Sequence, residues 1–227
     1  MVKINWDGYR WDTQHVLDDL KDYVNFMENQ LQHVREAERA KIPQKPPRSS
    51  EEEFMEWQAE LYYYENQIEK DFPNKARYSF VVLLQIIIES RTRGVCNSIA
   101  DRRSFSLKEK DLKGASLERL KTYLEKVAQV RLPDEKTLQE VNDIQKVRNC
   151  IVHAGGELEL SKDKARLIQL VKESNGISVD EDGYLLVSLE YYSRAIQSAS
   201  ELFEQIFEAA GFGPMWPTLE NEQTETN

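Results

Sequence analysis

Phe80-Val81-Val82-Leu83-Leu84-Gln85-Ile86-Ile87-Ile88-Glu89 is the stretch whose reading decides the fold. It lacks the strict alternation of a half-buried strand, and its apolar side chains point all round a helix. Its β-branched residues suit a strand locally. The apolar pattern nevertheless extends over Lys75 to about Ala100, which predicts a helix buried on most sides. Gln85 interrupts the run and Glu89 closes it, well short of the roughly 18 apolar residues a membrane span needs. Only nine glycines and seven prolines punctuate 227 residues. The expected class is mainly all-α.

Working back from this helix, Phe72-Pro73-Asn74 reads as the end of a preceding one. That helix opens at Ser50 with Glu53 as a capping box and buries Trp57, Leu61, Tyr64 and Ile68. Before it, Lys41-Ile42-Pro43-Gln44-Lys45-Pro46-Pro47-Arg48 breaks the chain. Its Pro-x-x-Pro spacing could fit an aromatic groove, though a connecting loop explains it as well. A first helix runs from an Asp12-Thr13 cap to about Ala40, with Val16, Leu20, Tyr23, Met27, Leu31 and Val34 on one face. Residues 1–72 therefore read as a long helical hairpin.

Working forward, a short helix spans Ser116 to Val130. Pro133 suits the first position of the next, which has Asp134 and Glu135 in its first turn. That helix carries Leu138, Val141, Ile144, Val147 and Ile151 inward and stops at Gly155-Gly156. Ser161 caps a helix to about Ser174. Ile177-Ser178-Val179 and Tyr184-Leu185-Leu186-Val187 flank Asp180-Glu181-Asp182-Gly183 as one short β-hairpin. Ser188 opens the last helix, which ends near Gly211. Residues 75–211 form the expected main domain. Residues 212–227 form a tail, disordered in part from Glu220 on.

Apolar residues make up 40% and aromatics 10%, enough for a core, so global disorder is excluded. The formal charge of −10 argues against a general nucleic-acid coat. It is unevenly spread: Lys75 to Arg148 holds 16 basic and 10 acidic residues, the remainder 14 and 30. A polyanion could be held on the first segment, although a solvated helix surface accounts for the same counts. Two cysteines make no disulfide framework, and Met1 to Asp7 has no apolar stretch of the secretory kind. The expected compartment is the cytoplasm, with no membrane association.

One constellation carries chemistry: Arg148-Asn149-Cys150-Ile151-Val152-His153, in the last two turns of a helix. Asn149 and His153, four apart, share a face. Arg148 lies roughly 140° round from His153 on an ideal helix, so it must reach around or act on a site shared with another chain. Histidine can move protons near neutrality, arginine matches phosphate geometry, and an amide can orient the attacked group. Such a set can cleave RNA without a metal: a base takes the 2′-hydroxyl proton, the oxygen attacks phosphorus, and a cation stabilises the non-bridging oxygens. The plain alternative has His153 stabilising a helix end and Arg148 in a surface ion pair.

Arg148-Asn149-x-x-x-His153 followed by Ala-Gly-Gly resembles the R-N-x-x-x-H signature of the HEPN superfamily. The order of elements from Lys75 to Gly211 resembles it too: an apolar helix, the motif helix, a further helix, a β-hairpin and a final amphipathic helix. The resemblance implies a HEPN-like helical bundle, commonly a homodimer, to which residues 1–72 are an addition. It further implies a metal-independent endoribonuclease of toxin–antitoxin or antiviral defence systems, with RNA as substrate, no cofactor, and an antitoxin or defence-complex partner. Arg148 and His153 would be catalytic, with Asn149 supporting them. Glu89 could join that site, or could simply begin the solvated end of its helix. Arg91, Arg93, Arg102 and Arg103 could hold the RNA backbone, or form surface ion pairs. The rival function is a non-catalytic dimerisation or nucleotide-binding module working with a protein partner. A Cys150–His153 thiolate–imidazole pair and a zinc site of Cys96, Cys150 and His153 are weaker uses of the same residues. His15 and His33 read as surface histidines.

Overall fold

A computed structural model describes residues 3–47, 50–216 and 218–220. The chain is mainly α-helical, as the spacing of its apolar residues requires. In chain order it forms β1 (Lys3–Asn5), α1 (Gly8–Lys41) and α2 (Glu51–Tyr63), which passes through a π-helical stretch (Tyr64–Asp71) into α3 (Phe72–Arg103). A 3-10 turn (Glu109–Asp111) precedes α4 (Ser116–Thr122), which continues as a π-helical stretch (Tyr123–Ala128). Then follow α5 (Glu135–Ala154), α6 (Lys164–Glu173), β2 (Ile177–Val179), β3 (Leu185–Val187), α7 (Leu189–Ala210) and β4 (Thr218–Glu220). No helix among the described residues is long and apolar enough to cross a membrane.

These elements make two compact units, each assembled from separated stretches. The first comprises residues 1–19, 83–147 and 193–227. Its core holds Val95, Ile99, Leu120, Leu124, Val141, Val147, Leu202 and Ile206, all at most 2% exposed. Tyr9 of α1 meets Phe207 of α7 edge-on, with ring centroids 6.2 Å apart, and Ser198 of α7 donates to the Glu140 carboxylate of α5 at 2.7 Å. β1 and β4 pair antiparallel, Ile4 opposite Leu219.

The second unit comprises residues 20–82 and 148–192. Phe80 is at its centre, 5.8 Å from the ring of Tyr23 and 5.8 Å from that of Tyr192. A bidentate pair from Arg77 to Glu28, at 2.6 and 2.8 Å, ties α3 to α1. Ile42, Tyr64 and Ile68 form a satellite cluster with Trp57 and Leu61 against it. That is the inward stripe expected of the second helix.

Several expectations need correction. α1 begins at Gly8, four residues before the expected cap, because the buried Asp7 carboxylate accepts from the backbone N–H of Tyr9 and Arg10 at 3.0 and 3.2 Å. Its buried stripe is Leu17, Leu20 and Val24, while Tyr23 and Val34 are 47% and 45% exposed. Phe72-Pro73-Asn74 ends no helix. The preceding eight π-helical residues shift the hydrogen bonds to i→i−5, Phe72 N–H donating to Gln67 C=O, and Pro73 enters α3 just after that shift. The apolar run is buried on most sides, as expected, while Leu83 and Ile86 are 39% and 52% exposed. Asp134 caps α5, its carboxylate accepting from Thr137 N–H at 2.9 Å, so Pro133 lies outside the helix. α6 starts one turn after Ser161. In the expected tail, Phe212 is buried and 218–220 form a strand; residues 221–227 lie outside the described residues.

Candidate functional site

Helix α5 carries the motif. Leu138, Val141, Ile144, Val147 and Cys150 are its buried stripe, each at most 3% exposed, which fixes the rotation of the helix. Arg148 and Asn149 are then half-buried beside the stripe, and Val152 and His153 are exposed. Cys150, rather than Ile151, completes the inward row.

Arg148 Nη1 donates to the Asn149 amide oxygen at 3.2 Å. The guanidinium thus turns back toward the helix face that Asn149 shares with His153. Its Nε is shielded from solvent and has no hydrogen-bond partner among the described residues. His153 makes no hydrogen bond or ion pair among the described residues, leaving both ring nitrogens open to a ligand. An amide-braced guanidinium and an open imidazole can respectively bind a phosphate and move a proton.

The helix end is held rigidly. Gly155 and Gly156 take φ of 63° and 91°, and Gly156 N–H returns to Cys150 C=O at 3.1 Å. Leu185 N–H of the β-hairpin donates to Gly156 C=O at 2.9 Å. Asn74 of α3 binds the hairpin twice, its amide donating to Leu185 C=O at 3.0 Å and accepting from Val187 N–H at 3.2 Å. Tyr78 also donates to Leu185 C=O. The hairpin and α3 together brace the chain that leaves the motif.

A cleft of about 820 Å³ adjoins this brace, with Gly155 on its wall, Tyr78 and Tyr184 as aromatic surface, and Lys70 and Lys75 at its edge. Asp71, Asp180, Glu181 and Asp182 also line it, and Asp71 pairs with Lys75 at 3.5 Å. With more acid than base, its charge does not favour a phosphate.

Glu89, Arg91, Arg93, Arg102 and Arg103 belong to the first unit, whereas Arg148, Asn149 and His153 belong to the second. Glu89 accepts from Gln85 at 3.0 Å, a bond within its own helix. Arg91 pairs with Asp12. Arg102 pairs with the buried Asp7 at 2.5 Å and stands 4.0 Å from the centre of the Phe212 ring. Arg103 donates to Ala128 C=O at 2.6 Å, closing a helix end. Arg93 alone of the four is exposed with neither an ion-pair nor a hydrogen-bond partner among the described residues. Three of these arginines therefore have structural partners.

Burial pushes the Cys150 thiol up, and its Sγ donates to Glu157 C=O at 3.7 Å; both disfavour a thiolate nucleophile. Cys96, fully buried in the other unit, is pushed up to about 12 by burial. His15 is exposed, stacks on Trp11 at 4.7 Å between centroids, and lies 3.7 Å from Asp19; His33 is exposed as well. An ion pair on a buried carboxylate escaped sequence reasoning: Glu109, 1% exposed, takes a 2.5 Å bond from Nε of the half-buried Arg119. Ten residues apart across a loop, these two residues share no helical spacing that would have paired them. No family model matches the chain, and neither do any curated proteins or solved structures.

Proposed function

We propose that the chain is a metal-independent endoribonuclease of the HEPN type, acting on RNA through Arg148, Asn149 and His153. The observation that supports this most is the bond from Arg148 to the Asn149 amide, beside an exposed and unengaged His153. His153 takes the 2′-hydroxyl proton; the freed oxygen attacks phosphorus and the bond to the 5′-oxygen breaks. A second histidine, from a second copy of the chain, returns a proton to that oxygen. The products are a 2′,3′-cyclic phosphate and a 5′-hydroxyl. Arg148 stabilises charge on the non-bridging oxygens, and Asn149 holds the guanidinium in place. Val152, 46% exposed beside His153, gives a second copy an apolar contact at the motif.

A second reading, a non-catalytic module with a protein partner, is favoured by the structural use of Arg91, Arg102 and Arg103. Incubating the protein with single-stranded RNA in EDTA separates the two. Cleavage leaving cyclic phosphate ends, lost by at least about 100-fold in both His153→Ala and Arg148→Ala, is the expected result. Cleavage that survives both substitutions removes the activity from this motif, and no cleavage by the wild type favours the module.

A further inference from the structure

Helix α2 is 13 residues long and buries none of its side chains. It opens the continuous helical run that passes through the π-helical stretch into α3. Trp57 and Leu61 cover one side by packing, half-buried, on Ile42, Tyr64 and Ile68, and Trp57 Nε1 donates to Pro43 C=O at 2.9 Å. The remainder faces outward. Phe54, Met55 and Tyr62 fall within an arc of about 100° and are 36%, 59% and 71% exposed. Next to that strip runs a row of glutamates, Glu52, Glu56 and Glu60, with Tyr63, 52% exposed, at its end.

The charge of this segment is one-sided. Residues 51–69 contain seven glutamates and neither lysine nor arginine. Glu52, Glu56 and Glu60 have no ion-pair partner among the described residues. Spaced four apart, they repel one another along the helix. An uncovered apolar strip beside a self-repelling acidic row is complementary to an apolar strip beside a basic row. RNA does not fit this face, since a polyanion would be repelled by it.

We infer that the outward face of α2 docks a cationic amphipathic helix of a partner protein. Met55, Phe54 and Tyr62 take its apolar side chains, and Glu52, Glu56 and Glu60 take its lysines or arginines. This site is independent of the motif on α5 and of the activity proposed for it.

Calorimetric titration of the full chain with the peptide Leu-Lys-Lys-Leu-Leu-Lys-Leu-Leu-Lys-Lys-Leu-Leu-Lys-Leu tests the inference, with oligolysine of the same charge as control. The expected result is one peptide per chain, binding at least about tenfold tighter than oligolysine and weakening with added salt. Met55→Ala/Tyr62→Ala and Glu52→Gln/Glu56→Gln/Glu60→Gln should each lose at least about tenfold in affinity. Asp18→Asn/Asp19→Asn/Asp22→Asn, which removes as much exposed charge from α1, should bind as the wild type does. All the altered side chains are exposed, so an unchanged circular dichroism spectrum is expected. Equal binding of oligolysine, or equal losses in the α1 and α2 charge variants, would overturn the inference by showing only net charge at work. So would light scattering in which the wild type dimerises and Met55→Ala/Tyr62→Ala does not, because the face would then be covered by a second copy.

Discussion

Tyr78 packs so closely on Gly156 that a Cβ at that glycine would stand 2.2 Å from the tyrosine hydroxyl oxygen. Gly156 also holds φ at 91°, a conformation costly to any residue with a side chain. Strain and overlap act together, so Gly156→Ala should cost about 2–4 kcal/mol in urea unfolding. Gly155, with φ of 63° and nothing within 4 Å of its Cβ position, meets only the first penalty. Gly155→Ala should therefore cost about 1–2 kcal/mol. Equal costs would contradict the close approach of Tyr78.

Arg119 is the charged partner of Glu109, a carboxylate only 1% exposed whose Oε2 has no hydrogen-bond partner among the described residues. Taking away the arginine strands that charge, which generally costs about 3–5 kcal/mol. Arg119→Ala should fall in that range. The double change Arg119→Met/Glu109→Leu should recover most of the loss, because it removes the charge along with its partner. A double variant as unstable as the single would show that the pair contributes packing rather than charge compensation.

The fold was legible wherever a local signal decided it. Ser50 caps α2, accepting from Glu53 N–H at 3.2 Å; Gly183 turns the hairpin with φ of 87°; and Gly155-Gly156 stops the motif helix. Each depends on a few neighbouring residues and needs no tertiary information. The misplacements arose where distant residues decide. The start of α1 depends on Asp7, which Arg102 engages from 95 positions away. Pro73 reads as a break, yet a π-helical stretch before it carries the helix through. In the site, the spacing of Asn149 and His153 shows that they share a face, but the turn of Arg148 onto Asn149 depends on a side-chain rotamer. The partners of Arg91, Arg102 and Arg103 come from α1 and from helix ends far along the chain, which charge counting cannot see.

Cys96 predicts an alkaline limit to stability. Burial raises its folded pKa to about 12, from an ordinary value of 9.0. The neutral thiol is the form that the folded chain keeps, so this stabilisation is fully present below about pH 9. As pH rises from 9 toward 12 the unfolded chain loses the proton first, and stability falls. Urea midpoints should drop over that window, and Cys96→Ala should flatten the drop while lowering the midpoint at pH 7 by creating a cavity. In the native protein at pH 8, Cys96 should resist a thiol reagent that labels it readily after unfolding. Rapid labelling of the folded chain would contradict its enclosure.

Arg93 and Arg91, two positions apart on α3, should respond to substitution in opposite ways. Arg91 pairs with Asp12 and stands 5.9 Å from the centre of the Tyr9 ring, whose hydroxyl donates to Arg91 C=O at 3.0 Å. Arg91→Ala should lower stability by about 1 kcal/mol, a modest figure because Asp12 is half exposed. Arg93 is exposed with no ion-pair partner among the described residues, so Arg93→Ala should leave the melting temperature unchanged. If RNA runs along this face, Arg93→Ala should weaken its binding and lower the slope of log affinity against log salt by about one phosphate contact. Arg91→Ala should leave that slope unaltered, since its guanidinium is already neutralised by Asp12. Filter binding of single-stranded RNA at several salt concentrations measures both slopes. The reverse result, a slope changed by Arg91→Ala and untouched by Arg93→Ala, would mean that the Asp12 pair opens when RNA binds.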